Sequence, residues 1–265
     1  MLELIFLGSG SRGNATLIRW DQTRLLIDCG FTARELNRRL AAFGEHLDRV
    51  QAICITHEHS DHVGGLRGLG QREDLQIFGT SGTLPALRLG KRSEAEKVPI
   101  QPGRSFRVGP LEVMAFSTSH DAIDPVGYRI TLPDGRHLGL ATDLGIPNDE
   151  AVEALSGCEL IGIESNHDPD MLEHGPYPWI LKRRIRSNKG HLSNPTTAAL
   201  LPRIAGDRLE QLFAMHLSET NNKPELARQA LQKSLDRLGL KTGLRIIDQH
   251  QASSYGRGSG QMKLL

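Results

Sequence analysis

Along the first third of the chain, short apolar stretches alternate with glycine, aspartate and asparagine turns. LELIFLG and ATLIRW have the composition and spacing of strands, the glycine-rich GSGSRGN joins them as a loop, and DQT turns the chain into a third strand, RLLIDCG. In TARELNRRLAAFG the apolar positions recur at helical spacing, so a helix is expected with Thr32 as its cap and Gly44 as its stop. VQAICIT is a continuous apolar run and predicts a buried strand whose carboxyl end delivers a cluster of polar residues.

The middle of the chain repeats this rhythm less regularly. LQIFGT predicts a strand and SGTLPALRLG a short helix; SFRV, LEVMAFSTS, VGYRITL and HLGLATD follow as four strands, with a hairpin turn at PDG between the last two. NDEAVEALSG then reads as a helix and CELIGIES as a strand. Further on, NPTTAALLPRIAG predicts a helix with Asn194 as its N-cap and Pro195 in the first turn. LEQLFAMHLS is a strand, KPELARQALQKSLDRLGL an amphipathic helix and GLRIIDQH a last strand. Many strands with helices scattered between them point to an α/β fold of sheets stacked between helical layers.

A length of 265 residues is one that a large α/β domain can fill, and no linker-like spacer, repeat or like-charge tail divides it. Residues 1–265 are therefore expected to form a single domain. The formal charge of +1 gives no global preference for an acidic partner and leaves only local patches to consider. Cys29, Cys54 and Cys158 lack CxxC spacing and two of them lie in apolar strand-like runs, so they read as small buried hydrophobes of a reducing compartment, without a catalytic role. MLELIFLGSGS is interrupted by Glu3 and preceded by no basic region, which marks it as a strand rather than a signal peptide. With no run of about 18 apolar residues, no membrane span or membrane partner is predicted, and a cytoplasmic location is expected.

Eleven histidines change the picture more, because three of them crowd with an aspartate into THEHSDHVGG. Imidazole and carboxylate donors suit zinc, and equally manganese or iron. In a loop, His57 and His59 can turn toward one ion while Asp61 and His62 turn toward another. That split implies two divalent metal ions close together.

THEHSDHVGG resembles the HxHxDH signature of metallo-β-lactamase-fold hydrolases, with LLIDCG upstream and a glycine-started helix downstream. The resemblance implies the four-layer αββα sandwich of that fold, in agreement with the strands and helices above. It also implies three further ligands: His120 in FSTSHDAIDPVGYRI, Asp143 in HLGLATDLG and His216 in LFAMHLSETNN. His57, His59 and His120 would then hold one ion, Asp61, His62 and His216 the other, with Asp143 bridging. Glu58 is not assigned as a ligand, and Asp28 would brace the metal loop. Members with a redox di-iron centre typically carry Glu where this chain has His59, which weakens an oxidoreductase reading.

Two neighbouring divalent ions can acidify a shared water and clamp both oxygens of an in-line displacement, which suits phosphodiester hydrolysis as well as lactam or thioester cleavage. WILKRRIRSNKGHLSN narrows this choice. Lys182, Arg183, Arg184, Arg186 and Lys189 precede His191 directly, and such clusters bind phosphate backbones by charge and counterion release. LGSGSRGNAT, LLIDCG, TSHDAIDPVGY, ESNHD, YPWILKRRIRSNKGHLSN and HLSETNN, with the histidine motif, resemble the YycJ/WalJ-like exonuclease branch of the fold. By that resemblance His191 corresponds to a non-ligand histidine near the scissile phosphate, and His167, with Asn166 and Asp168, lines the site or contacts substrate.

The expected function is that of a dinuclear phosphodiesterase, a 5′-to-3′ exonuclease on double-stranded DNA that hydrolyses through a metal-bridging hydroxide. Asp61, Asp143 and His191 are the expected catalytic residues, and zinc or manganese, with iron compatible, the expected cofactors. The partner is duplex DNA held through its phosphate backbone. A hydrolase of small phosphodiesters or nucleotides is the first alternative. An RNA-cleaving phosphodiesterase is the second, disfavoured because the stretch between Asp143 and Ser187 is too short for the large inserted domain of the RNA-processing branch. A nucleic-acid-binding protein with structural metals is a third reading, disfavoured by a ligand set without cysteine.

Overall fold

The computed structural model describes residues 1–69 and 72–256. In chain order its first elements are β1 (Leu2–Gly8), β2 (Ala15–Trp20), β3 (Thr23–Ile27), α1 (Ala33–Ala41), β4 (Ala52–Cys54), α2 (Ser60–Val63), β5 (Gln76–Thr80), β6 (Glu96–Ile100) and β7 (Ser105–Val108). There follow β8 (Leu111–Ser117), β9 (Val126–Thr131), β10 (His137–Ala141), α3 (Asp149–Leu155), β11 (Leu160–Glu164), α4 (Pro169–His174) and α5 (Trp179–Ile185). The last elements are α6 (Asn194–Ile204), β12 (Gln211–Met215), α7 (Pro224–Arg237), β13 (Gly243–Ile246) and β14 (Ser253–Gly256). They fall into two compact units: unit 1 is Met1–Pro110, Ala122–Asp124 and the segment from Asp248, and unit 2 is Leu111–Asp121 with Pro125–Ile247.

In unit 1 the sheet order is β14-β1-β2-β3-β4-β5-β6. The strands from β14 to β3 pair antiparallel, so short turns suffice; from β3 to β6 they pair parallel and need crossovers. The first crossover contains α1, where the Thr32 side chain accepts a hydrogen bond from the Glu35 amide as expected of a cap. Leu36 and Leu40, one turn apart, pack with Leu26, Ile53 and Ile77 in the core. Because β3 and β4 are parallel and in register at Ile27 and Cys54, the residues that follow each strand emerge side by side. Asp28 is thereby placed next to Thr56, with its amide bonded to the Cys54 carbonyl at 2.9 Å.

Unit 2 repeats the arrangement, with strand order β13-β12-β11-β10-β9-β8. β8, β9 and β10 are antiparallel, and β10 to β13 parallel. Helices α3, α6 and α7 bury Leu155, Leu201 and Leu231 against Ile161, Ile163 and Leu212 of the sheet. The carboxyl ends of the parallel strands again gather polar groups, here Asp143 after β10, Glu164 at the end of β11 and His216 after β12. Open α/β sheets commonly place ligands at such ends.

Several sequence expectations need correction. SGTLPALRLG forms only a 3₁₀ turn at Leu84–Ala86, which ends at Leu87 because the backbone there is extended. The N-cap of α6 is Ser193, not Asn194: the Ser193 hydroxyl accepts from the Thr196 amide at 3.2 Å, while the buried Asn194 amide group bonds Asn222. The edge strands β6 and β14 and the short helices α4 and α5 have no counterpart among the elements expected from the patterning. Among the described residues, no helix is long and apolar enough to cross a membrane.

All three cysteines are buried and reduced. Burial pushes the thiols of Cys29 up to about 12 and of Cys158 up to about 11, and raises Cys54 as well; the nearby Asp28 charge adds to the effect at Cys29 and Cys54. Since the thiolate is the reactive form, a thiol reagent at pH 8 is expected to label none of the three in the folded protein and all three in denaturant. Rapid labelling of the native protein would contradict this placement.

Candidate metal centre

The donor cluster of unit 1 is built on Asp28. This buried carboxylate accepts from the Thr56 amide at 2.8 Å and the Thr56 hydroxyl at 2.9–3.0 Å, and its second oxygen lies 2.7 Å from His62 Nδ1. His62 therefore holds its hydrogen on Nδ1 and presents Nε2 as the donor nitrogen. Thr56 Oγ1 is also 3.0 Å from His57 Nδ1, which orients that ring in the same sense. The rings of His59 and His62 lie 4.6 and 4.1 Å from that of His57, and His62 Nε2 is 3.5 Å from Asp61 Oδ2. His57 and His62 are buried, His59 and Asp61 half-buried. Ser60–Val63 is a helical turn rather than a loop, and it projects Asp61 and His62 from successive positions.

Close backbone contacts fix this turn. The Asn14 amide donates to the Asp61 carbonyl and the Cys29 amide to the His62 carbonyl, both at 2.7 Å. A Cβ on Gly30 would sit 1.8 Å from the Asp61 carbonyl oxygen, so no side chain fits there. Asp28 takes the left-handed conformation, with φ of 61°. For a non-glycine residue that costs on the order of 1–2 kcal/mol, offset here by the four hydrogen bonds the carboxylate makes.

Unit 2 brings together Asp143, Glu164, His191 and His216, whose ligand atoms all lie within 4.8 Å of one another. Asp143 Oδ1 is 3.6 Å from His216 Nε2, 3.6 Å from His191 Nδ1 and 3.7 Å from His120 Nε2. Glu164 is fully buried and uses both oxygens. Oε1 lies 2.8 Å from His191 Nδ1 and 2.9 Å from His216 Nδ1, while Oε2 accepts from the amides of Leu144 and Leu192, each at 3.0 Å. Burial works against its charge, but the His191 and His216 imidazoles prevail and hold the carboxyl below the usual range. His120 donates from Nδ1 to the Gly190 carbonyl at 3.1 Å, again presenting Nε2. Asp143 and His216 both have left-handed backbones, with φ of 58° and 55°.

These residues fit divalent metal ions. His57, His62, His120 and His216, and His191 beside them, have Nδ1 engaged by a carboxylate, a carbonyl or a hydroxyl, the outer-sphere arrangement that fixes the tautomer of a ligating imidazole, and aspartate oxygens accompany them. In unit 2 burial depresses the basicity of His120, a shift that favours the neutral, ligating form. Glu164, Thr56 and Asn14 were not singled out in the sequence. A signal existed for Glu164, an ionisable residue at the end of a strand buried at every position, where a charge is rare unless paired.

The remaining candidates are placed as follows. His191 follows the basic segment directly, its amide bonded to the Ile185 carbonyl, and its side chain is 20% exposed. Burial disfavours the charged form of His191, but the Glu164 charge and hydrogen bond, together with Asp143, raise its pKa above the ordinary value. Asn166 donates to the His216 carbonyl at 2.9 Å and steadies that strained residue. Asp168 is the N-cap of α4, accepting from the Met171 amide. Lys182, Arg183 and Arg184 lie on α5, Arg186 caps it and Lys189 sits in the turn beyond. Three of the five are engaged: Lys182 with the Glu173 carbonyl, Arg184 with Asp121 and Arg186 with the Glu173 carboxylate. Arg183 lies over the Trp179 ring at 4.6 Å.

His167 is buried, and burial lowers its pKa to about 4. The folded state thus prefers the neutral ring. This preference stabilises the protein fully above the unfolded value near 6.5 and is lost as pH falls from there toward 4. The difference corresponds to about 3 kcal/mol at most. Denaturant midpoints at pH 7 and 5 should therefore differ less in His167→Gln than in the parent. An unchanged difference would show that His167 does not carry this dependence.

Comparison with known proteins agrees with this arrangement. Residues 23–216 match the family model of the beta-lactamase superfamily domain. The chain is 34% identical over 244 residues to exodeoxyribonuclease YycJ of Bacillus anthracis, covering 91% of this chain and 92% of that protein. It is 33% identical over 242 residues to exodeoxyribonuclease WalJ of Streptococcus pneumoniae, covering 90% of each. Among solved structures, the metallo-β-lactamase fold protein YhfI from Bacillus subtilis superposes with a TM-score of 0.72 at 16% identity, over 95% of this chain and 99% of that one. Two sheets with polar groups at their parallel strand ends, histidines braced at Nδ1 and a family match spanning both donor clusters lead to one conclusion: this chain belongs to the beta-lactamase superfamily, as a metal-dependent hydrolase of the metallo-β-lactamase fold related to YycJ.

Proposed function

We propose that the protein is a nucleic-acid phosphodiesterase, a 5′-to-3′ exonuclease acting on duplex DNA. The observation that carries this reading is the link between phosphate-binding charge and the donor cluster in unit 2. The basic segment Lys182–Lys189 runs directly into His191, and His191 shares the Glu164 carboxylate with His216. The similarity to exodeoxyribonucleases over nine-tenths of the chain supports it.

In this reading His57, His59 and His120 serve one ion, Asp61, His62 and His216 a second, and Asp143 both; the family match across residues 23–216 and the donor chemistry of each unit support the assignment. Zinc or manganese bound to such donors supplies Lewis-acid polarisation of a phosphodiester and acidification of water. His191 is anchored through Nδ1 to Glu164 and its side chain is 20% exposed; in its protonated form Nε2 donates to a phosphate oxygen or to the leaving oxygen. His167 supports the site from the same strand end. Arg183 and Lys189 hold the backbone by charge. Residues 1–265 act together as one domain.

The test is a time course with end-labelled duplex and single-stranded DNA and RNA, run separately with Mn²⁺ and Zn²⁺. Release of label from the 5′ end of duplex DNA is expected. Cleavage of RNA alone, or of small diesters alone, would replace the reading. Because Arg184 and Arg186 are tied to carboxylates, Arg183→Ala with Lys189→Ala is the informative pair. Losing two phosphate contacts should lower the salt slope of duplex binding by about 2, while hydrolysis of a small diester stays unchanged.

A further inference from the structure

The most exposed apolar residues of unit 2 are consecutive. Trp179 and Ile180, at the start of α5, are 67% and 71% exposed. A tryptophan so placed forgoes most of the burial that normally stabilises a large aromatic side chain, so folding does not explain it. Its surroundings point to a ligand. Trp179, Lys182, Arg183 and Arg186 fall at i, i+3, i+4 and i+7, one stripe of the helix. The Arg183 guanidinium lies over the indole, 4.6 Å from the ring, and steadies one face of it while most of its surface remains open. An aromatic platform within a basic track is the combination that binds a nucleic acid strand, the ring stacking on a base and the cations following the backbone.

We propose that Trp179 is a substrate-positioning residue that stacks on an unpaired nucleobase of the substrate strand, a few nucleotides from the phosphate beside His191. This rests on the nuclease reading above. The spacing follows from the helix: Trp179 and Ile185 are six residues apart, about 9 Å at 1.5 Å per residue, and Ile185 is bonded to the His191 amide. That length spans about three steps of a strand at 3.4 Å each. A frayed end would therefore meet the ring while its neighbouring phosphates meet Arg183 and Lys189. Stacking is tolerant of base identity, as an enzyme that degrades arbitrary sequence requires.

The chain has two tryptophans, so Trp20→Phe leaves Trp179 as the only indole reporter. In that background, adding a phosphorothioate single-stranded oligonucleotide to the metal-loaded protein should quench the emission, and an abasic oligonucleotide should not. Trp179→Ala should weaken oligonucleotide binding about 5- to 100-fold with an unchanged salt slope, Trp179→Phe should retain most of the affinity, and hydrolysis of bis(p-nitrophenyl) phosphate should stay at the parent rate in both. Equal binding by Trp179→Ala, or equal quenching by the abasic strand, overturns the proposal. So does a blue shift on phosphatidylglycerol vesicles without a response to oligonucleotide, which would make the pair a membrane contact. Binding is read without cleavage, so a parent protein that cuts no nucleic acid would defeat the nuclease reading while the quenching still decides the role of Trp179.

Discussion

Asp143→Asn is expected to lose hydrolytic activity by a factor of about 10³ or more while the protein keeps its fold. The Asp143 carboxylate is buried and faces imidazole nitrogens of His120, His191 and His216 at 3.6–3.7 Å, so the substitution removes an aspartate charge that lies against all three. Preorganised charge of this kind is commonly the largest contribution to catalysis, and loss of one neutral donor elsewhere costs about 10²–10³. Asparagine is the right replacement because Asp143 has a left-handed backbone, which asparagine tolerates and alanine does not. Hydrolysis rate, bound metal and thermal melting should be measured on one preparation. Full activity in the variant would falsify the assignment of Asp143; lost activity with a collapsed melt would point to folding instead.

Glu164→Gln should act differently, weakening metal binding about 10- to 100-fold and destabilising even the metal-free protein by about 3 kcal/mol. Both carboxylate oxygens are acceptors: one serves His191 and His216, the other the amides of Leu144 and Leu192. Glutamine has one oxygen and one NH₂, so whichever way it turns, a donor faces two donors in a dry site, at a cost of about 1–3 kcal/mol for each group left unsatisfied. Denaturant unfolding without metal and a metal titration separate the two effects. If stability is unchanged and only activity falls, Glu164 is not the structural brace described here.

Much of this was legible from the sequence. The strands that became central in each sheet are continuous apolar runs, the pattern of strands covered on both faces, and so were legible by run length without any alternation. β6, with the sequence EKVPI, is exposed at most positions and contains a proline, as edge strands do, so it has no periodic signal. β14, SSYG, is equally polar at an edge. Ser193 and Asn194 are both good capping residues in adjacent positions, and only the buried bonds of Asn194 to Asn222 and Ser165 decide between them. In the site, donor types and order were visible, but the bracing was not: Asp28 to His62 and Glu164 to His216 are bonds between residues 34 and 52 positions apart. The basic run looked uniform as a sequence, yet Glu173 and Asp121 engage two of its arginines.

The parallel pairing of β10, β11 and β12 has a consequence for how the protein is made. Asp143 and Glu164 leave the ribosome well before His216, and the strand that carries His216 pairs with β11 only after a crossover containing α4, α5 and α6 has closed. Contacts across such long loops form slowly, and chains emerge N-terminus first. The donor cluster of unit 2 is therefore completed only after its carboxylates are in place, so a nascent chain holding only Asp143 and Glu164 has acquired them but neither of the imidazoles, His191 and His216, that Glu164 will orient.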